Sequence, residues 1–237
     1  MKHTILLLLC ALFLTSTVLI GLAKEGTAEE FSGQNYLPFT VGGSPDRLPS
    51  LVVRPNHTSF LDHDGELWIT GEVLNETEEY IQLSHIQVEV LDYFGNKVDI
   101  IDQYISYEIP PHEKGCFVFY DYVLPPNYGG YQFANITYIG GIREAPILSV
   151  SDLEARIERS YFIVNGVVQN NDTQRVRDME IIGTFYNSSG NVVGCITSYE
   201  IDADFLDPGQ ATRFFVPWSF DAESITHYRV QSMGRLP

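Results

Sequence analysis

Gly71-Glu72-Val73-Leu74-Asn75 is answered by Gly166-Val167-Val168-Gln169-Asn170, 95 residues further along the chain. The same offset joins Gly95-Asn96 to Gly190-Asn191, Val98 to Val193, Ile101 to Ile196 and Tyr104 to Tyr199. Beyond these the offset becomes 97: Pro111 answers Pro208, Phe117 answers Phe214 and Tyr131 answers Tyr228, which implies a two-residue insertion in the second copy. A collinear series of this kind, with turn residues included, argues for duplication. Each copy is about 90 residues long, the size of a small β-sandwich.

The local pattern agrees with β-structure. Ile86, Val88 and Val90 alternate with Gln87 and Glu89, the period of a half-buried strand. In the second copy Met179, Ile181 and Phe185 share one parity, Ile182 breaks it, and Gly183 marks a bulge or a close approach. Gly95-Asn96 and Ser189-Gly190-Asn191 read as hairpin turns, because Gly and Asn tolerate positive φ. Residues 66–74, 117–124 and 161–168 are further strand candidates. Ser151 to Arg159 alternates acids and bases with Leu153, Ala155 and Ile157, as an edge strand does. Pro110-Pro111 and Asp207-Pro208-Gly209 end strands. Helix signals are nearly absent.

The N-terminus is a different kind of sequence. Met1-Lys2-His3 gives a basic start, and Ile5 to Ala23 is uncharged for 19 residues, ending in Gly21-Leu22-Ala23. This predicts a secretory signal peptide over 1–23. Its length also suits an uncleaved membrane anchor. Either route exports the rest of the chain. Residues 24–49 read as a linker. The expected architecture is all-β: two tandem immunoglobulin-like β-sandwiches, over 50–142 and 145–237, after the signal or anchor segment.

The motifs carry a resemblance. Gly166 to Asn171, Val176-Arg177-Asp178-Met179-Glu180-Ile181, Phe185-Tyr186-Asn187-Ser188-Ser189-Gly190-Asn191-Val192-Val193-Gly194 and Leu206-Asp207-Pro208-Gly209-Gln210 resemble the FxLYD-type domain, a small immunoglobulin-like β-sandwich of exported prokaryotic proteins. The first copy keeps Gly71 to Asn75, Leu91 to Asn96 and Pro110-Pro111-His112-Glu113, but lacks the Pro-Gly turn. The resemblance implies a fold, an extracytoplasmic location and a binding or spacer role without catalytic residues. It assigns no site.

Composition bounds the function. The chain carries 14 Lys and Arg against 31 Asp and Glu, a formal charge of −17. Nucleic acid is excluded as a partner, since phosphate contacts need clustered bases. Hydrophobic residues reach 44%, enough for a packed core. After Cys10 in the apolar segment, Cys116 and Cys195 remain. By the offsets they fall at non-equivalent places in different copies, and the expectation is two buried free thiols.

Candidate sites are few. Asp62, Asp64 and Glu66 offer hard oxygen ligands for calcium around Gly65, although Leu67-Trp68-Ile69 begins a strand where a full calcium loop would continue. Asp202, Asp204 and Asp207 form a second acidic loop. The six His lack ligand spacing, and no nucleophile elbow or phosphate loop is present. Five N-x-S/T matches begin at Asn56, Asn75, Asn135, Asn171 and Asn187. Trp68 and Trp218 are expected in the core.

The expected function is a non-enzymatic extracytoplasmic binding or structural module without a cofactor. Its partner would be a protein or the cell envelope, met at loops or by strand addition at an open edge. Contact with a membrane would run only through residues 5–23. Two alternatives stand beside it: a membrane-tethered spacer or accessory subunit of an envelope complex, and a hydrolase with an acidic cleft.

Overall fold

The computed structural model describes residues 50–141 and 146–237. The expected signal or anchor segment and the linker lie outside the described residues, as does most of the short joint between the copies. Among the described residues no helix is long and apolar enough to cross a membrane.

The described chain is all-β, with fourteen strands and a single three-residue 3-10 turn, Ala222–Ser224. β1 (Leu51–Val53) and β2 (Thr58–Leu61) share one side of β3 (Glu66–Asn75). β4 (Tyr80–Asp92) starts a second sheet between β5 (Lys97–Ile105) and β7 (Tyr128–Gly141). β6 (Lys114–Val123) returns to the free side of β3. β8 (Leu148–Glu158) then pairs with β9 (Tyr161–Asn170). β10 (Val176–Tyr186) has β11 (Val192–Ser198) and β12 (Phe205–Leu206) along one side. β13 (Ala211–Trp218) completes the β9 sheet, and β14 (His227–Arg235) takes the other side of β10. All pairings between these strands are antiparallel. The four sheets make a sandwich-like all-β fold, and the strands expected from the sequence are present with slightly longer bounds.

Features at the repeat offset have the same geometry in both halves. Asn75 and Asn170 end β3 and β9, and both are fully buried. The Asn75 amide donates to the carbonyls of Glu79 and Ile109, at 2.8 and 3.0 Å. The Asn170 amide donates to those of Gln174 and Leu206, at 2.8 and 2.9 Å. Each Oδ1 accepts the backbone N–H two residues on. Gly71 and Gly166 each lie under a phenyl ring: a Cβ there would meet Cζ of Phe117 or Phe214 at 2.5 Å, which only Gly avoids.

Three hairpins share one turn design. In Asp62–Glu66, Asp92–Asn96 and Asn187–Asn191, Oδ1 of the first residue accepts the N–H groups two and four places on. The fourth residue is Gly with φ of 80° in each case. That conformation costs Gly nothing and strains other residues. These bonds are the local reason for the Asx-x-x-Gly pattern.

Candidate functional site

The most distinctive chemistry lies where the two halves meet. β3 is buried almost throughout, which a strand covered on one face cannot be. Ile69, Gly71 and Val73 face the β4 sheet. Trp68, Thr70 and Glu72 face the opposite way: Trp68 toward Trp218 and Phe220 at the end of β13, Thr70 toward β11, and Glu72 toward β10 and β14. β10 has the same property: Ile181 and Phe185 point into the second core, while Ile182 belongs to the first core cluster. The alternation broken at Ile182 is the sequence trace of this double burial.

Cys116 and Cys195 are joined across this junction, with Cα atoms 5.7 Å apart. The expectation of two free thiols is therefore corrected, although their burial is as expected. The halves meet sheet face to sheet face, so β6 and β11 come within the span that a disulfide needs. End-to-end sandwiches would have kept them apart.

Glu72 stands beside this bond and is completely buried. The Tyr186 hydroxyl donates to its Oε1 at 2.7 Å, and the Asn56 amide donates to Oε2 at 2.9 Å. Arg229 reaches Oε1 at 3.3 Å and Lys114 reaches Oε2 at 3.4 Å. Burial pushes the Glu72 carboxyl up. The two hydrogen bonds and the two cations outweigh it and hold the group below the usual carboxylate range. Tyr186, buried against the same carboxylate, is pushed up. Arg229 also donates to the Lys114 carbonyl at 3.0 Å.

More polar contacts close the junction. The Thr70 hydroxyl donates to the Val192 carbonyl at 2.7 Å, the Thr58 hydroxyl donates to the same oxygen, and the Val192 N–H donates to the Asn56 carbonyl at 2.8 Å. At one rim five rings from both halves gather. Trp68 lies 4.2 Å from Phe220, 5.7 Å from Tyr120 and 6.0 Å from Phe60, centroid to centroid. Trp218 lies 5.9 Å from Phe220. Trp218 is core, as expected. Trp68 is only half-buried. Elsewhere along the junction a cavity of about 450 Å³ is lined by Tyr80, Pro110, Val150, Gln231 and Met233, among others.

The acidic calcium candidates have local structural partners. Asp62 and Asp64 share the first hairpin turn, where ligand atoms of Asp62, His63 and Asp64 come within 4.8 Å of one another. Glu66 is not in that group. Asp62 Oδ1 already staples the turn, and its Oδ2 accepts the Trp68 indole N–H at 3.3 Å. These donors hold its carboxyl below the usual range. In the second acidic loop Asp207 pairs with Arg175 at 2.7 Å. Of the N-x-S/T matches, Asn135 and Asn171 are exposed, while Asn75 is sealed in the core.

No family model and no curated protein matches the chain. Among solved structures it is similar to red sea bream transglutaminase, 10% identical with a TM-score of 0.23, over 79% of this chain and 29% of that one. It is also similar to the exo-chitosanase CsxA of Amycolatopsis orientalis, 9% identical with a TM-score of 0.27, over 76% of this chain and 25% of that one. A third likeness is the tandem CBM22 region of Paenibacillus barcinonensis Xyn10C, 11% identical with a TM-score of 0.16, over 79% of this chain and 86% of that one. The chain spans less than a third of the first two, and likenesses this low carry no activity across.

Proposed function

We propose that the chain is a pair of tandem immunoglobulin-like β-sandwiches fused into one rigid body, and that it works outside the cytoplasm as a non-enzymatic binding or structural module. The observation that carries this reading is the buried Cys116–Cys195 bond between the halves. Disulfides persist in oxidising compartments, and this one ties together residues 79 apart. The FxLYD-like pattern of the second half points the same way. β5 and β8 lie at sheet edges, where an extended segment of a partner can add as a strand. β8 carries alternating charges and a bulge between Ser151 and Glu154, devices that discourage unwanted pairing there.

The second reading, a membrane-tethered spacer, is favoured by the uncharged Ile5 to Ala23 segment. A rigid two-unit body suits a spacer as well as a binder. One experiment addresses both. The full chain is expressed in its host, cells are fractionated, and free thiols are tagged with a polymer-linked maleimide before electrophoresis. Oxidised Cys116 and Cys195 in an extracytoplasmic fraction are expected. Release by washing favours the free module, and retention in the membrane favours the tether. A cytosolic chain with both thiols tagged overturns the proposal.

A further inference from the structure

We infer that the aromatic rim of the junction is a docking site for an Arg- or Lys-bearing segment of a partner protein. The inference rests on the reading of the chain as a binding module and names the chemistry of its partner.

The rim is built from both halves. Phe60, Trp68 and Tyr120 come from β2, β3 and β6, and Phe220 follows β13. Phe60 and Trp68 stack with their planes 18° apart, and Phe60 also lies 5.8 Å from Phe220. Trp218 closes the floor of the cluster and is 5% exposed, whereas Tyr120 is 54% exposed at its edge. The rings therefore run as a continuous aromatic surface from core to solvent.

These rings are not required by strand pairing. At the repeat offsets Phe60, Trp68 and Tyr120 correspond to Ala155, Ile163 and Pro217. Those three residues stand in the β8, β9 and β13 ladder with no ring of their own. The first half carries large, rigid rings, half-buried at Phe60 and Trp68 and exposed at Tyr120, where the second half has smaller residues at the matching positions. Trp and Tyr in such positions are the typical anchors of protein interfaces.

Charge selects the occupant. The chain is formally −17. Asp62 is bonded directly to the Trp68 indole, Asp64 shares its turn, and Asp221 follows Phe220 in an exposed left-handed turn. Aromatic faces attract guanidinium and ammonium groups through their quadrupole, and neighbouring carboxylates add to that attraction. A basic segment satisfies both features. An acidic segment satisfies neither.

The test titrates the oxidised full chain with a hexa-arginine peptide and follows Trp fluorescence and calorimetric heat. Two variants are compared: Tyr120→Ser, and Tyr120→Leu, which keeps apolar bulk but removes the ring. Asp64→Asn combined with Asp221→Asn tests the carboxylates. Melting temperatures confirm that each variant is folded. The expected result is binding that both Tyr120 variants weaken by about fivefold, and that the paired Asn variant weakens as well. Equal affinity in wild type and in both Tyr120 variants would mean diffuse attraction to an acidic surface and would overturn the inference. So would binding of the uncharged sugar hexa-N-acetylchitohexaose that depends on Tyr120 while hexa-arginine does not bind. Either failure leaves the rigid-module reading standing, because that reading depends on the thiol-tagging result.

Discussion

Glu72 and Cys116 stand directly opposite each other on β3 and β6, so a buried carboxylate and a disulfide leave the sheet side by side and cross to the second half together. The covalent link brings Arg229 and Tyr186 of the second half within reach of Glu72. The polar network in turn satisfies a charge that would otherwise be costly to bury. The pairing turns two sheet faces that could slide into a junction with one register.

Breaking the disulfide tests the covalent half of this arrangement. The bond closes a loop of 79 residues. On the chain-entropy argument, its loss costs about 4.5 kcal/mol. Urea unfolding with and without reductant measures the cost, and Cys116→Ala with Cys195→Ala removes any effect of the reductant itself. A lower midpoint is expected in both experiments. An unchanged midpoint would show that the cysteines are not joined.

Much of this architecture is legible in the sequence, but the junction is not. Period-two alternation identifies the strands because one face of each sheet is usually wet. The Asx-x-x-Gly turns are readable because only Gly holds the positive φ cheaply. The offset of 95 locates Asn75 and Asn170, whose matching bonds a sequence can suggest but not draw. What sequence reasoning missed is the meeting of two sheet faces. Its signals were present: Ile182 out of phase, and Thr70 and Glu72 inside an otherwise apolar strand. Each also reads as an ordinary imperfection in a half-buried strand. The disulfide was hidden for the same reason, since Cys116 and Cys195 become neighbours only through that packing. The acids at 62 and 64 were visible, but the role of Asp62 as a turn staple shows only when the three turns are set side by side.

Removing the Glu72 carboxylate tests the electrostatic half. Glu72→Ala leaves the Tyr186 hydroxyl and Arg229 facing a void, and a loss of roughly 3 kcal/mol is expected. The pH dependence has a definite sign. The folded carboxyl sits below its unfolded value of about 4.5. Its contribution is therefore fully present above that pH and is lost as pH falls through the lower folded value. Melting of the wild type should fall faster in this acid range than melting of Glu72→Gln. Parallel curves would mean that Glu72 is not held as an anion.

Glu180 on β10 shows the opposite case. Burial pushes its carboxyl up, Asp178 adds repulsion, and Arg235 offsets only part of this. Its Oε2 has no hydrogen-bond partner. Because the folded value is raised, the associated stability is present below about pH 4.5 and is lost as pH rises through the folded value. Glu180→Gln should therefore raise the melting temperature at pH 7 while changing it little at pH 4. A loss of stability at pH 7 would indicate that the carboxylate has a favourable partner.

The two buried Asn residues offer an internal control that few proteins supply. Asn75 donates to the Glu79, Ile109 and Pro110 carbonyls, and Asn170 donates to the Gln174 and Leu206 carbonyls. Replacing either by Ala removes these bonds and takes away the Oδ1 that accepts the backbone N–H two residues on, at a cost of about 1 to 3 kcal/mol. The losses in Asn75→Ala and Asn170→Ala should be similar, because the Pro110 carbonyl that Asn75 also meets accepts the Glu113 N–H as well. Asn75→Asp should be at least as damaging as Asn75→Ala, since it replaces the donor with a buried negative charge facing carbonyl oxygens. Denaturant midpoints of the three variants measure this order. A neutral Asn75→Ala beside a costly Asn170→Ala would mean that the first half does not depend on the knot that ends its central strand.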